Sequence, residues 1–564
     1  MTNHYLYLEA VNLGNVVDDT EDLSTRRAGG YMLLELVHKV KEACVDELES
    51  ISVGASAGLF QLPAGRSMAA ARKKVAAVLS MPLYAQATVL VADTETDRIS
   101  SRDFVTAREG LLAWVRRRQM QTLGFATDFR ADSVSNRQAA EFIRFNRPPK
   151  ELVCQIDKLR PAWAEVPFQG ETRSESVSVI ERRERGRDLR QDFYSRELKS
   201  SDGEHYADDN RFTDDFEELA RTDNFADAKV ARHHLGSLTS RLDRKLAVFY
   251  ADGDKFGSTN AACAGADVLR SWDQTVQDAR QKFLKALLNH LDAHPLGRAR
   301  RDDELTQRRR IETLMWGGDE FLLVLPAWLA LEAVRLFFDQ CQIEWPAGQR
   351  RTHSAALVFA HHNAPIRPLK QLAKALADQG KQDKERCNAP ADSLNWLVLE
   401  SFDHAGGDLG TYWARRSLPD LAWPHMALDP TRLGRLLRPP SLAAIRQVPR
   451  RNLYRIVQLL QGSKAGNEND KAAAVRLLPR AYENIHQAVM PELGAWQAVW
   501  QALQPLADLQ WPDQADAITP KPEHLNAWLV LTELWDYLLA ADLKPDVGID
   551  PDSQAPVATQ EEPA

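Results

Sequence analysis

A chain of 564 residues, 44% apolar and 27% charged, is too long for one core and rich enough in apolar residues to build roughly three to four domains at about 150 residues each. Its formal net charge of -8 excludes a protein that coats nucleic acid by bulk electrostatics, leaving room only for a local basic groove. Five dispersed cysteines, Cys44, Cys154, Cys263, Cys341 and Cys387, offer no CxxC pair, which argues against a disulfide framework and for a reducing, cytoplasmic setting. The N-terminus MTNHYLYLEAVNLG lacks a secretory pattern, and no run approaches the ~18 apolar residues of a membrane span.

The first hundred residues alternate strands and helices. YLYLEAV (5–11) reads as a strand, YMLLELVHKVKEACVDEL (31–48) as an amphipathic helix, ISVGASAGLFQL (51–62) as a hairpin, AARKKVAAVLS (70–80) as a helix and YAQATVLVAD (84–93) as a strand. That order, βαββαβ, is ferredoxin-like. Residues 103–148 read as helical through FVTAREGLLAWVRRRQMQTL until the pattern breaks at RPP (147–149). From about 150 to 240 the chain is charge-dense, and ERRERGRDLR (181–190) is read as a solvated helix face in preference to a nucleic-acid contact.

A second βαββαβ pattern follows, and this one carries acids. LAVFYADGD (246–254) reads as a buried strand ending in carboxylates, followed by a long helix through VQDARQKFLKALLNHLDAH. RIETLMWGGDEFLLVLP (310–326) reads as two strands joined at a glycine pair. A helix (LALEAVRLFFDQC), a strand (SAALVFAHH, 354–362), a helix (LKQLAKALADQGK, 369–381) and a closing strand (LNWLVLES, 394–401) complete it. Beyond about 405 the patterns are helical, in RNLYRIVQLLQ, KAAAVRLLPRAYENI and LNAWLVLTELWDYLLAADL, and the tail from Lys544 is too polar and proline-rich to pack.

In an antiparallel ferredoxin-like sheet the first strand lies beside the hairpin of strands two and three. Asp252, Asp254, Asp319 and Glu320 are therefore expected to converge at one edge. Carboxylates that close repel unless a cation neutralises them, so the cluster implies one or two hard divalent ions, Mg²⁺ or Mn²⁺. Gly253 and Gly257 flank Lys255 and Phe256 where strand turns into helix, a natural cradle for a triphosphate. Gly317 and Gly318 let backbone or base approach the hairpin turn without a Cβ in the way. Two ions and a phosphate cradle suit in-line attack of a 3′-hydroxyl on an α-phosphate. Each motif has a plainer reading: a lone DxD is commonly a turn or a helix cap. GG followed by two acids inside an apolar hairpin breaks local rules of the kind natural sequences break at functional sites, and the pairing of the two motifs is the stronger signal.

YADGDKFG and WGGDEF resemble the motifs of the GGDEF and palm-type nucleotidyl cyclase superfamily, and ADGDKFG is closer to the second palm domain of the large polymerase-like subunit of type III CRISPR effector complexes. LGNVVDDTEDLSTRRAGGYMLLELV (13–37) resembles the opening of that family's first palm, CQIDKLRPA (154–162) a stripped remnant of its zinc-binding insertion, and HSAALVFAHHNAPIRPLKQLAKALADQGK (353–381) the last strand and helix of its second palm. The resemblance covers roughly residues 1 to 400 and implies an α+β chain with two ferredoxin-like palms, a non-catalytic first palm at 1–100, a helical connector with a degenerate zinc module at 101–240 and a catalytic second palm at 241–403; the sequence pattern adds an all-helical domain at 404–543, like that family's end domain in kind only, and a disordered tail at 544–564.

Carried over by motif, it implies Asp252 and Asp319 as principal metal ligands and catalytic acids, assisted by Glu320 and the Gly253 carbonyl, with Asp254 a weaker ligand. The amides of Lys255, Phe256 and Gly257 would hold phosphates. Gly317, Gly318, Ser354, Lys381 and Arg386 would complete the nucleotide site, although Lys381 reads equally well as a solvated helix end. The implied activity is the joining of nucleoside triphosphates, ATP favoured, into cyclic oligonucleotide messengers for antiviral defence. The implied partners are guide RNA, other CRISPR subunits or a downstream cyclic-nucleotide effector, with no membrane. The sequence begins at the first palm, so no HD nuclease activity is expected, and the zinc module keeps only Cys154, so no zinc is expected. The first palm's hairpin has glycines but no acids. Two alternatives stay open: a non-catalytic nucleotide-binding scaffold of an RNA-guided complex, and a diguanylate cyclase, weakened because its helix after the first motif reads only GSTNAAC.

Overall fold

The computed structural model describes residues 3–122, 150–198 apart from 169, 212–223, 225–300, 307–346, 348–387, 391–399, 428–447 and 522–541, together with 409, 450, 501 and 502. In the first half, strands His4–Val11, Glu49–Val53, Ala57–Leu62 and Thr88–Asp93 form one antiparallel sheet. Glu49–Val53 and Thr88–Asp93 lie at its edges and His4–Val11 next to the latter. This is the ferredoxin-like order read from the sequence. The last strand starts at Thr88 rather than Tyr84, because Tyr84–Gln86 form a 3-10 turn.

The first long helix runs Leu23–Ala43, eight residues earlier than the apolar periodicity suggests. Asp22 caps it by accepting from the Thr25 amide at 2.9 Å. The polar stretch STRRAGG resembles a loop in isolation, yet Arg26 and Arg27 are buried because each has a carboxylate partner: Asp18 at 3.3 Å for Arg26, and Glu312 of the second half for Arg27. Burying a guanidinium without such a partner would be prohibitive.

The charge-dense stretch corrects the sequence reading for the same reason. Ser176 caps a helix, Val177–Glu197, that packs along Leu23–Ala43. Arg182 is fully buried against Asp19 at 2.7 Å, Arg183 reaches Glu175 at 2.6 Å and Arg196 pairs with Glu35. What reads as a solvated face is an ion-paired interface, with Glu184 and Arg185 left in solvent.

The second half is a five-stranded sheet. In order its strands are Glu312–Gly317, Glu320–Pro326, Lys245–Gly253, His353–His361 and Ser393–Val398. The first four pair antiparallel, and Ser393–Val398 joins parallel after the crossover helix Ile366–Cys387. The central strand buries both faces by simple alternation. Ala247, Phe249 and Ala251 enter one core, while Leu246, Val248 and Tyr250 enter another with Leu369, Leu372 and Leu376 of the crossover helix. Phe249 meets Phe321 edge-on at 5.1 Å and Phe337 at 5.8 Å, fixing the first face.

The halves interlock. The first half's hairpin docks on helix Ala266–Ala293, where Asp273 accepts from the Ser52 hydroxyl at 2.9 Å and the Val53 amide at 3.4 Å. In the other direction, edge strand Glu312–Gly317 lies on helix Leu23–Ala43 so closely that a Cβ on Gly30 would sit 2.9 Å from the Leu314 carbonyl oxygen. The connector helix closes this seam through Tyr194 and Thr313 at 2.9 Å and Trp316 and Glu197 at 3.1 Å.

Of the C-terminal helical patterns, helix Pro522–Ala540 is described, and its Tyr537 ring stacks on Phe359 at 3.9 Å. RNLYRIVQLLQ, KAAAVRLLPRAYENI, the tail from Lys544 and the later part of the 103–148 pattern lie outside the described residues; the described helix there is Phe104–Gln121. Among the described residues no helix is long and apolar enough to cross a membrane.

Candidate active site

Alternation along strand Lys245–Gly253 decides where its acids go. Asp252 follows Tyr250 on the side of helix Ile366–Cys387, and its Oδ2 accepts from the Lys381 amine. Burial pushes the Asp252 carboxyl up, Lys381 pulls it back and Glu320 raises it again. Asp254, two residues on, is satisfied by the Thr352 hydroxyl at 2.6 Å, the Ser354 hydroxyl at 2.9 Å and the Lys384 amine. Ser354 is fully buried and donates to Asp254, so it supports the strand end rather than lining an open site.

The chain then turns sharply. Lys255 adopts the left-handed region at φ 60°, and its side chain is exposed with Glu385 at 3.9 Å. Helix Phe256–Ala262 starts at once. The Phe256 ring folds back over Gly253, where a Cβ would meet it at 2.3 Å, and lies 5.0 Å from Trp272 and 5.2 Å from His353. Gly253 is required by that closure; Gly257 faces open space.

At the hairpin, Gly318 takes φ 56° and its carbonyl accepts from Arg280 at 2.9 Å. The glycine before it serves a purpose the sequence did not suggest: a Cβ on Gly317 would lie 2.0 Å from the Cβ of Ala55, so the close approach is made by the first half's own hairpin. Glu320 faces the crossover helix, accepting from the Tyr250 hydroxyl at 2.5 Å with Lys374 at 3.7 Å. Asp319 turns instead toward a cavity between the halves. Burial, and next to it the charge of Asp252, push its carboxyl up to about 6.

The expected four-way convergence is thus only partly formed. Asp252, Asp319 and Glu320 share one sheet edge, where the charge of Glu320 raises the Asp252 carboxyl and that of Asp252 raises Asp319, while Asp254 is engaged with strand His353–His361 and Lys384. Among the described residues no group of three or more His, Cys, Asp or Glu side chains is arranged to hold a metal ion. On the helix opposite, Lys374, Lys381 and Lys384 project toward Glu320, Asp252 and Asp254 in turn. The two like charges of Asp252 and Asp319, each raised by burial, are still a donor set that a divalent cation fits, since it would relieve both desolvation and repulsion.

The cavity, about 260 Å³, is lined from the first half by Tyr7, Gly58 and Arg108 and from the second by Gly257, Asn260 and Asp319. That is just below the roughly 300–1,000 Å³ of ligand pockets. The side chain of Arg386 lies outside the described residues. Sequence reasoning missed Tyr250, Lys374 and Lys384, although the lysines repeat at helical spacing on one face and could have been found that way.

It also missed an acid in the first half. Asn12, at φ 56°, makes a left-handed turn just after its strand, as Lys255 does after its own. Aligned on these two residues, Tyr7 falls on Tyr250, Glu9 on Asp252 and Gly14 on Gly257. The registers agree, since Leu8 pairs with Gly58 and Ala251 with Phe321, each the second residue of its half's third strand. Glu9 accepts from Arg116 at 2.8 Å and from Tyr7 at 3.0 Å, a counterpart of the Asp252–Lys381 pair. The hairpin itself has Ser56 and Ala57 where the second half has Asp319 and Glu320, in keeping with an acid-free turn.

Comparison with known proteins adds three findings. Residues 245–389 match the model of the Cas10/Cmr2 second palm domain. No curated protein matches the chain by sequence. Among solved structures, the chain is similar to Csm1 in T.onnurineus at 12% identity and TM-score 0.47, over 96% of this chain and 69% of that one. It is similar to the Csm1-Csm4 cassette in complex with pppApA at 13% identity and TM-score 0.45, over 96% of this chain and 69% of that one. For the cassette in complex with AMPPNP the identity is 12% and the TM-score 0.45, over 96% and 70%. The resemblance read from YADGDKFG and WGGDEF therefore holds at the residues that carry it: this chain contains a palm domain of the Cas10/Cmr2 kind at residues 245–389.

Proposed function

We propose that the chain is a metal-dependent nucleotidyltransferase that joins nucleoside triphosphates, ATP favoured, into cyclic oligonucleotide second messengers in a CRISPR-type antiviral system. One observation carries the reading. Asp252 and Asp319, from motifs far apart in sequence, come to one sheet edge close enough for the charge of one to raise the pKa of the other, beside a cavity walled by both halves. The cavity-lining Gly257 and Gly318 leave room for backbone approach to a nucleotide. Tyr250 orients Glu320, and Lys381 supplies positive charge for phosphate at the same edge. Mg²⁺ or Mn²⁺ would be held by Asp252 and Asp319, with the Gly253 carbonyl and Glu320 assisting, and when bound would lower the pKa of the attacking hydroxyl and neutralise the leaving pyrophosphate. On this reading residues 1–100 and 241–403 are two palms, 101–240 a connector, 404–543 a helical domain and 544–564 a tail, the setting is cytoplasmic, and guide RNA and other CRISPR subunits are the partners.

The test is incubation of purified protein with Mg²⁺ or Mn²⁺ and each labelled triphosphate, with and without target RNA. Pyrophosphate and a cyclic product from ATP are expected, and Asp319→Ala/Glu320→Ala should lower the rate about a thousandfold or more. A product from GTP alone would favour the diguanylate cyclase. A second reading, the nucleotide-binding scaffold, is favoured by the lysine already placed on Asp252 and by the one placed on Asp254. Equal inertness of wild type and the double variant, with guide RNA copurifying, would establish it.

A further inference from the structure

Helix Phe256–Ala262 belongs to the second half, yet its far end is held by the first. Arg108, on helix Phe104–Gln121, is buried to 8% exposure. Its Nη1 donates to the carbonyls of Asn260 at 2.9 Å and Cys263 at 3.2 Å, and its Nη2 to that of Ala261 at 2.7 Å. These carbonyls lie at the helix end, where intrahelical donors run out, and a cation there also meets the negative end of the helix dipole. Glu109 takes part of the same guanidinium at 3.1 Å, and the Phe104 ring lies under it at 5.6 Å. A helix of seven residues has little stability of its own. This one supplies Phe256, Gly257 and Asn260 to the inter-half cavity and starts at the turn that ends the strand carrying Asp252.

We infer that Arg108 is a positioning residue for nucleotide binding. From the first half it fixes the far end of the helix that walls the cavity, so the spacing between that wall and Asp319 is set partly across the seam, in addition to the packing of Phe256 within the second half. The inference rests on the nucleotide reading above. It gives the first half a role in the site that does not depend on acids in its own hairpin.

The experiment is titration of the full chain with Mg-ATP, followed by intrinsic tryptophan fluorescence, for wild type, Arg108→Ala and Arg108→Lys, each with its melting curve. Arg108→Ala is expected to weaken Mg-ATP binding about tenfold. Arg108→Lys, which keeps the charge but has one ammonium in place of a three-way fork, should fall between. Millimolar guanidinium should restore part of the affinity to Arg108→Ala and none to wild type. Should Arg108→Ala fail to fold, the Lys variant alone decides: an affinity equal to wild type overturns the proposal. In folded Arg108→Ala, unchanged affinity, or a loss that neither Lys nor guanidinium reverses, overturns it as well. A wild type that binds none of the four Mg-triphosphates overturns the nucleotide reading itself and takes this inference with it.

Discussion

The amine of Lys381 rests on Oδ2 of Asp252, one strand away from Asp319, so a protein cation stands at the edge where a divalent ion would bind. On the metal-dependent reading, Lys381 would therefore compete with the cation in the nucleotide-free protein. The pair is partly exposed, which limits its strength to about 1 kcal/mol. Lys381→Met should tighten Mn²⁺ binding to the nucleotide-free chain by roughly fivefold, read by calorimetry. Unchanged or weaker Mn²⁺ binding would remove Asp252 from the ligand set.

The raised carboxyl of Asp319 makes both stability and cation binding depend on pH. Its folded pKa, about 6, lies above the ordinary 3.8, so the folded state holds the proton more tightly. The resulting stability is fully present below pH 3.8 and is lost as pH rises through about 6. In chelator at pH 7 to 8, Asp319→Asn should melt higher than wild type by an amount equivalent to ~1–3 kcal/mol, with the gap closing below about pH 4. A flat difference across that range would contradict the assignment.

On the proposed reading, Mn²⁺ would have to displace that proton to bind Asp319. Apparent affinity is expected to rise about tenfold per pH unit below 6 and to level off above it. Asp319→Asn should remove the slope, which separates this group from any other that titrates nearby.

Gly317 packs on Ala55 with no space for a methyl group. Gly317→Ala should cost ~1–3 kcal/mol in chemical denaturation. Removing the Ala55 methyl group still leaves its Cα and N at 2.7 and 2.9 Å from the new carbon, so Ala55→Gly in the same chain should recover only part of the loss, a coupling that a double-mutant cycle would measure. Independent, additive losses would mean the hairpins do not meet.

Glu312 is 2% exposed and pairs with Arg27 across the seam, with Arg190 at 3.6 Å. Glu312→Gln leaves two buried guanidinium groups without their carboxylate and should destabilise by ~3–5 kcal/mol. The loss should shrink in Arg27→Met/Glu312→Met, where one buried charge and the carboxylate leave together. Equal losses in both variants would place the cost in packing rather than charge.

The amino-acid sequence by itself determined the two βαββαβ units and the meeting of the acidic strand end with the GGDE turn. Alternation of period two, glycine at turns and strand-beside-hairpin topology are local rules, and in LAVFYADGD and WGGDEF they all agree. Only the tertiary structure decided which acids face which partner. Lys374, Lys381 and Lys384 reach Glu320, Asp252 and Asp254 because a crossover helix lies over one face of the sheet. Arg182 reads as solvated until Asp19 arrives from far along the chain, and the burial of Arg26 and Arg27 becomes tolerable only beside Asp18 and Glu312. Ala55 and Arg108 gained their meaning in the same way, since a contact between two halves has no periodicity within either one. Local geometry is encoded in neighbours along the chain, whereas most of the charge compensation and the close backbone approach depend on residues distant in sequence, and those are settled only when the elements pack.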